Sequence, residues 1–369
     1  MTWGSPSAAA GRDGRTVGVE EELLLFTGAA RPARVGERLA EDPSTSVEHE
    51  LKLEQAEIAS APQCELAALG VDLLGRRREL VTAADERGVL VAGLATSPSA
   101  TMPAATPDER YARMQQQYGL VAADQLTCGT HVHVSVASRA EGIAAIDGVR
   151  RWVAILLAMS VNSPFWSGFD TGYGSYRTIA WGRWPTAGPT ARFGDPDEYD
   201  RRVDEAVATG VAVDAGMIYF DVRLSAKYPT VEFRVADVGQ QIADSVLLAA
   251  LCRAAVETAI ASDPVELVHD RLRAAAWRAA RFGLGDQLVD VQDASLRPAP
   301  DLVDRMLDEL RPALDRNGDA DLVRRLVDDL FRRGTGADLQ RADLATGAGV
   351  AGVVRAAASR ALAPPVANS

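Results

Sequence analysis

Lysine and cysteine are scarce in this sequence. Only two of its 39 basic residues are lysines, Lys52 and Lys227, and neither follows a glycine, which excludes the phosphate-binding loop of P-loop nucleotide-binding proteins. The three cysteines, Cys64, Cys128 and Cys252, are far apart and lack the spacing of a metal site or a redox motif. If the protein uses a nucleotide, metals and arginines rather than a glycine-rich loop have to hold its phosphates.

Long apolar runs and an excess of positive charge are also absent. The longest apolar run, residues 153–161, is far too short to span a bilayer, and residues 1–15 lack the apolar core of a secretory signal. With 51 acidic against 39 basic residues, the net charge of −12 argues against binding nucleic acid. We therefore predict a soluble cytoplasmic protein with neither a nucleic-acid nor a membrane partner, since few cysteines also fit a reducing compartment.

What is present is an ordinary globular mixture, 47% hydrophobic and 24% charged. We predict a disordered tail at residues 1–15, a catalytic sheet core at residues 16–262, and a helical C-terminal part at residues 263–369 packed on the same domain. Strands are predicted at 17–26, 47–58, 88–95, 130–136, 215–224 and 230–235. Helices are predicted at 66–86, 107–123, 141–159, 196–209, 242–261, 301–310 and 319–332.

Three predicted strands combine an apolar face with a face of charged groups or imidazoles. Residues two apart on a strand point to the same side, so polar side chains at that spacing share one face while the residues between them, mostly valines, leucine and phenylalanine, share the other. The alternation groups the polar side chains into three pairs: Glu20 with Glu22, His131 with His133, and Glu232 with Arg234.

The acidic pairs predict a metal site if their strands lie in one sheet. Clustered carboxylates repel one another and lose hydration, so they need cations to stay ionised. Carboxylates with one imidazole favour a hard divalent ion, Mg²⁺ or Mn²⁺, over zinc. Glu50 and Glu57 add two acids, but their odd spacing sends them to opposite faces of a straight strand unless a bulge or break lies between them. Any one pair alone fits a solvated sheet face or a surface ion pair.

Two glycine-rich segments allow contrasting interpretations. Residues 163–189 form a long loop with aromatic residues and arginines, which suits either ligand binding or a structural loop packed by its tryptophans. In it, Arg177 and Arg183 suit forked recognition of a carboxylate or phosphate, and with Tyr176 we predict that they bind substrate or nucleotide. Residues 347–352 match the dinucleotide fingerprint GxGxxG but follow a helical segment, so we interpret them as a helix–helix connection.

The motifs that carry this chemistry resemble those of the carboxylate–amine ligases related to glutamate–cysteine ligase type 2, in the glutamine synthetase superfamily. They fall in family order between about residues 16 and 260: Gly-Val-Glu-Glu-Glu, the Glu50…Glu57 pair, Cys-Gly-Thr-His-Val-His-Val, Ser-Tyr-Arg-Thr and Val-Glu-Phe-Arg. The resemblance implies an α+β fold whose curved, largely antiparallel sheet forms an active-site funnel, with flanking helices, ATP entering one end and the amino acid the other. It also implies a homodimer.

The resemblance further implies a ligand set and two catalytic residues. Glu232 and Arg234 would be catalytic, with Arg234 facing the transferring phosphate, and His133 would join the substrate-binding residues because its position is not a ligand in distant relatives. The metal ligands would be Glu22, Glu50 and Glu57 around one Mg²⁺, and Glu20, His131 and Glu232 around another.

The activity that the resemblance implies is ATP-dependent amide formation. ATP would convert a carboxylate to an acyl phosphate, which an amine would then attack, with γ-glutamylcysteine as the default product. The sequence identifies neither the acid and amine nor the base that accepts the amine's proton. Three alternatives stay open: the same chemistry on another acid–amine pair in a specialised pathway, a metal-dependent hydrolase, and a catalytically silent binding protein.

Overall fold

A six-stranded antiparallel sheet organises the computed structural model, which describes residues 14–263 and 265–364. Its strands are β1 (Val17–Thr27), β2 (Gln55–Ala59), β3 (Val89–Ala92), β4 (Gly129–Ser135), β7 (Val222–Leu224) and β8 (Thr230–Asp237). The order across the sheet is β2-β1-β4-β8-β7, and β3 pairs with the C-terminal half of β1. Two small hairpins stand apart from it: β5 (Phe165–Trp166) with β6 (Phe169–Asp170), and β9 (Gln287–Val289) with β10 (Leu296–Pro298).

Helices surround this sheet. Those before β8 are α1 (Gly36–Ala40), α2 (Leu66–Asp85), α3 (Glu109–Tyr118), α4 (Leu120–Ala123), α5 (Arg139–Val149), α6 (Val153–Ser160), α7 (Tyr176–Trp181) and α8 (Pro196–Ala208). Those after it are α9 (Ile242–Ile260), α10 (His269–Phe282), α11 (Ala299–Asn317), α12 (Ala320–Arg333), α13 (Gly336–Asp343) and α14 (Gly349–Arg360). None of the helices in the described ranges is both long and apolar enough to cross a membrane.

The main core lies between the apolar face of the sheet and α9. Val19 of β1 and Val132 of β4 are buried with Leu251 of α9, because strand alternation turns every second side chain towards the helices. Helix α9 also packs on α2, α5, α11 and α12, so one continuous apolar cluster reaches from the sheet to Leu310. The predicted α+β class and antiparallel sheet are confirmed, whereas the domain boundary near residue 262 stays a prediction.

The central acid of the Gly-Val-Glu-Glu-Glu motif points into this core. Glu21 and Arg77 of α2 are both fully buried, and the guanidinium donates to the two carboxylate oxygens over 2.7 and 2.9 Å. Arg77 also donates to the backbone carbonyls of Gly239, Gln240 and Ala361. One buried arginine therefore connects β1, α2, the turn before α9 and the segment after α14.

Some predicted elements are shorter or broken. The strand predicted at 47–58 starts only at Gln55, and the strand predicted at 215–224 is reduced to β7 after a 3₁₀ turn. The helix predicted at 107–123 breaks at Gly119, whose φ is +54°, and the one predicted at 141–159 breaks where Arg150 donates its Nε–H to the Asp147 carbonyl. The hairpin of β9 and β10 interrupts a region predicted as helical, since its short strands lack a distinctive periodicity.

The glycine-rich segment 347–352 covers the junction of α13 and α14: Gly347, with a φ of +83°, breaks the helical backbone, and residues 349–352 form the first turn of α14. The predicted helix–helix connection is confirmed. Of the predicted tail at residues 1–15, residues 1–13 lie outside the described residues.

Candidate active site

Strand register brings the predicted polar pairs to one face of the sheet. Opposed residues of antiparallel strands point to the same side. Glu20 of β1 stands opposite His131 of β4, and Glu22 stands opposite Glu57 of β2. His133 of β4 stands opposite Glu232 of β8. Four distant stretches of the sequence thereby contribute acids and imidazoles to one surface.

The histidines lie among the carboxylates of β1. His131 Nδ1 is 3.3 Å from Glu20 Oε2, and its Nε2 is 3.7 Å from Glu22 Oε1. His133 Nε2 is 3.2 Å from the other oxygen of Glu20, while its Nδ1 is 2.9 Å from the Thr230 hydroxyl. Glu20 therefore contacts both imidazoles, one with each oxygen.

Two sets of ligand atoms are close enough to surround one ion each. In the first set, atoms of Glu20, Glu57 and His131 lie within 4.8 Å of one another, and in the second set, atoms of Glu20, His133 and Glu232 do so. Glu20 belongs to both sets, and His133 rather than His131 accompanies Glu232. The distribution of individual ligands between two metals stays a prediction.

The segment before β2 reverses direction, which brings Glu50 and Glu57 to one site without a bulge. Glu48 pairs with Glu57 in an isolated bridge, and the Gln55 N–H donates to the Lys52 carbonyl across the turn. Glu50 thus lies on the arm before the turn and Glu57 on the arm after it. The sequence predicts that the two acids meet only if a bulge or break separates them, and the structure has a break, the chain reversal before β2.

Burial and mutual repulsion disturb the carboxyl groups of this cluster. Burial, reinforced by the charge of Glu50, raises the pKa of Glu22 to about 8 and raises the pKa of Glu57 well above its usual range. Burial and the charge of Arg234 lower the pKa of His131 to about 4, so its imidazole is neutral at pH 7. Acids that resist ionisation beside a neutral imidazole are suited to a divalent cation, which would favour their charged forms.

Two arginines hold Glu232. Arg223 of β7 donates its Nε–H to Oε2 over 2.9 Å and its Nη2–H to Oε1 over 3.1 Å, while Arg234 donates to Oε1. Burial by itself would raise the pKa of Glu232, but these two positive charges hold it well below its usual range. Arg234 Nη1 also lies 3.4 Å from His131 Nδ1, so its guanidinium borders the acidic cluster.

The three predicted ligand-binding residues of the loop at 163–189 occupy different environments. Arg177 is buried against Gly129, where a Cβ would lie 2.3 Å from its Nη2, and it donates to the Val235 and Arg234 carbonyls. Tyr176 contacts the rings of Trp166 and Tyr173, and Arg183 is ion-paired with Asp124 over 2.9 Å. Only Arg177 lies beside the acidic cluster, where its charge lowers the pKa of Glu22 against the larger effect of burial. Substrate binding by these residues stays a prediction.

Two further residues near the cluster escaped the sequence analysis. Arg223 holds Glu232 and anchors its own guanidinium on the Ile218 carbonyl over 2.7 Å. The alternation Val-Arg-Leu in β7 is the signal that could have revealed it. Lys52 is buried in the reversal between Glu50 and Glu57, and its ammonium donates to the Ala122 and Ala123 carbonyls over 2.8 and 3.0 Å. A buried lysine gives no periodic signal in a short irregular segment.

Comparison with known proteins identifies the family. The sequence profile of the Glutamate-cysteine ligase family 2 (GCS2) matches residues 16–358. A Frankia alni protein named "Putative glutamate--cysteine ligase 2-2" is 51% identical over 352 residues, covering 89% of this chain and 92% of that protein. A Streptomyces coelicolor protein named "Putative glutamate--cysteine ligase 2" is 45% identical over 358 residues, covering 94% and 99%.

Two solved structures share the fold at low sequence identity. Glutamate–cysteine ligase from Francisella tularensis, in complex with AMP, has a TM-score of 0.71 at 13% identity and covers 96% of this chain and 91% of its own. A bifunctional glutathione synthetase from Pasteurella multocida has a TM-score of 0.70 at 15% identity and covers 95% of this chain and 52% of its own.

The family match makes this protein a ligase. The chain belongs to the glutamate–cysteine ligase family 2, as the resemblance of its motifs predicts.

Proposed function

We propose that the protein is an ATP- and Mg²⁺-dependent carboxylate–amine ligase that forms an amide through an acyl phosphate, with glutamate and cysteine as the default substrates. The observation that carries this proposal is the convergence of Glu20, Glu57, His131, His133 and Glu232 on one sheet face. A carboxylate does not condense with an amine in water, so ATP has to activate it first. Phosphoryl transfer depends on charge neutralisation and alignment, and a face of metal ligands beside arginines supports both.

The side chains present fit a hard divalent cation. Carboxylate oxygens outnumber imidazole nitrogens in both ligand sets, and burial keeps the pKa of Glu57 high. The chemistry that Mg²⁺ or Mn²⁺ supplies in such a site is neutralisation of phosphate charge. The residues proposed to hold it are Glu20, Glu22, Glu50, Glu57, His131 and Glu232.

Arg234 is proposed to bind the phosphate as it transfers. Its guanidinium borders the ligand set through Glu232 and His131, and its Nε is buried without a hydrogen-bond partner among the described residues. A planar guanidinium can donate two N–H groups at once to phosphate oxygens, which aligns the group and offsets its charge. Arg177 is proposed to position Arg234, since it donates to the Arg234 carbonyl.

ADP release with defined substrates tests the proposal. The purified protein is incubated with Mg²⁺, ATP, glutamate and cysteine, and ADP, phosphate and product mass are measured. We expect ADP in proportion to a product of the mass of γ-glutamylcysteine, and loss of both when Mg²⁺ is chelated. ADP release with another acid or amine from a panel would retain the ligase chemistry and replace the default substrates.

Two outcomes would contradict the proposal. Absence of ADP release across the whole panel of acids and amines, in a protein that still binds ATP, would remove the ligase activity. Turnover of an amide in the absence of nucleotide would instead indicate a metal-dependent hydrolase. Omitting ATP therefore separates the two classes of enzyme directly.

A further inference from the structure

Asp221 lies on the same sheet face as the acidic cluster, immediately before β7. The Arg234 N–H donates to the Asp221 carbonyl over 2.8 Å, which places the two residues opposite each other in the ladder of β7 and β8. Phe220 and Val222 on either side turn into the core, where the Phe220 ring packs 5.8 Å from that of Phe193. Directly opposed residues have Cβ atoms about 5 Å apart, so Asp221 and Arg234 are neighbours on this face. The charge that acts on the Asp221 carboxyl is that of Arg177.

The Asp221 carboxyl group makes no hydrogen bond or ion pair with any residue in the ranges 14–263 and 265–364. The other acids around it are engaged. Glu20 contacts two imidazoles, Glu232 is held by two arginines, and Glu22 accepts the Gly129 N–H over 2.6 Å. Asp237, at the end of β8, accepts hydrogen bonds from the Asn162 N–H and from the hydroxyls of Ser163 and Ser175. Asp221 is therefore an acid on this face with both oxygens available.

The environment of Asp221 suits proton uptake near neutral pH. Burial raises the pKa of Asp221 to about 7, against the opposing charge of Arg177 on α7. The other charged residues next to it in the ladder are Arg223 on its own strand, and Arg234 and Glu232 on β8. Asp221 as a whole residue is only partly buried.

We infer that Asp221 is the general base that accepts the proton of the attacking amine. The inference rests on the proposed function. Arg234 is proposed to bind the transferring phosphate, and Asp221, opposite Arg234 in the ladder, is the unpaired acid on this face from which to deprotonate an amine that attacks the acyl carbon. The amine nitrogen forms a C–N bond to this carbon, the C–O bond to phosphate breaks, phosphate leaves with the bonding electron pair, and the nitrogen's proton passes to the Asp221 carboxylate.

The variant Asp221→Asn tests this role, because it keeps the shape of the side chain and removes the proton acceptor. The reaction has two half-reactions, formation of the acyl phosphate and attack of the amine on it. Hydroxylamine separates them, since it is already unprotonated at neutral pH and attacks an acyl phosphate without a base. With ATP, Mg²⁺ and glutamate, we expect the variant to form hydroxamate at a rate close to that of the wild type. With cysteine as the amine, we expect its kcat to fall by about 100-fold or more.

The pH profile adds a readout that a structural role would not change. In the wild type, kcat for amide formation should rise with pH through an apparent pKa near 7, and this limb should be absent in Asp221→Asn. Asp214→Asn is the matched control, because Asp214 lies on the same stretch of chain but its carboxylate is already ion-paired with Arg110. The control should keep both the rate and the limb.

Several results would overturn the inference while leaving the ligase in place. One is near-normal amide formation by Asp221→Asn. Another is a raised KM for cysteine with unchanged kcat and an unchanged pH limb, which would make Asp221 a binding group for the substrate's ammonium. Equal loss of hydroxamate and amide formation would place it in the first half-reaction. A wild type that forms neither ADP nor hydroxamate would refute the proposed function itself.

Discussion

His131 shows how one side chain unites two strands into a candidate site. It is buried at 3% exposure between Glu20 and Glu22, and its imidazole is kept neutral by burial and by Arg234. A neutral imidazole offers a lone pair to a cation while its hydrogen bond to a carboxylate fixes the ring orientation. Its contribution is therefore local to the site and not to the apolar core.

The variant His131→Ala should lower ligase turnover by about 100-fold or more, because it removes one proposed metal ligand and the contact that orients Glu20. The free energy of unfolding should change little, since the side chain borders a polar cluster. His49→Ala is the matched control: His49 is exposed and should lose no activity. Turnover of His131→Ala close to the wild-type rate at limiting Mg²⁺ would contradict the ligand role. The rate of ADP release, measured against Mg²⁺ concentration for the wild type and both variants, tests this prediction.

At the scale of elements, the buried ion pair of Glu21 and Arg77 connects β1 to α2 and to the backbone that leads into α9. Two consecutive acids of β1 therefore have opposite roles. Glu21 is fully buried and paired on the core face, while Glu22 faces the acidic cluster. Breaking a buried pair on one side leaves an uncompensated charge, which is costly in the protein interior.

The variant Arg77→Met should lower the free energy of unfolding by about 3–5 kcal/mol, because Glu21 loses its ion-pair partner and keeps only the Ser245 hydroxyl, and three carbonyls lose a donor. Arg76→Met is the matched control on the same helix. Arg76 is 31% exposed and lies 3.4 Å from Asp72, so its loss should change the free energy by less than about 1 kcal/mol. Equal effects of the two variants, measured by urea denaturation, would refute a structural role for the buried pair.

At the scale of the whole molecule, the acidic cluster couples stability to pH. Between pH 6.5 and 8, His131 is neutral in the folded state, because folding lowers its pKa from 6.5 to about 4. In the unfolded state it is half protonated at pH 6.5 and loses that fraction of a proton as pH rises, which offsets only part of the effect of Glu22. Glu22 has its pKa raised from 4.5 to about 8, so in this window the folded state binds more protons than the unfolded state. Stability then falls as pH rises.

The metal-free protein should therefore unfold at a lower temperature at pH 8 than at pH 6.5, and added Mg²⁺ should raise the unfolding temperature more at pH 8, where ionised carboxylates bind it. The variant Glu22→Gln cannot titrate and should show a smaller pH slope. A slope unchanged by Glu22→Gln, measured by calorimetry with and without Mg²⁺, would show that Glu22 does not titrate in this window.

The period of two within strands was enough to predict much of this site. Alternation alone groups Glu20 with Glu22, His131 with His133, and Glu232 with Arg234, because the direction of a side chain on a strand is a local property of the backbone. Helical patterns likewise locate α2 and α8, and a long apolar run locates α9, each within one or two residues.

Only the tertiary structure decided which strands are neighbours, and hence which groups meet. The register that opposes Glu20 to His131 joins residues distant in sequence, and the chain reversal that brings Glu50 to Glu57 lies in an irregular segment. Such contacts depend on packing of the whole chain, which no local period encodes. The pairing of Glu21 with Arg77 in the core has the same cause. Alternation along β1 predicts that Glu21 points away from Glu20 and Glu22, but only the folded chain brings Arg77 next to it.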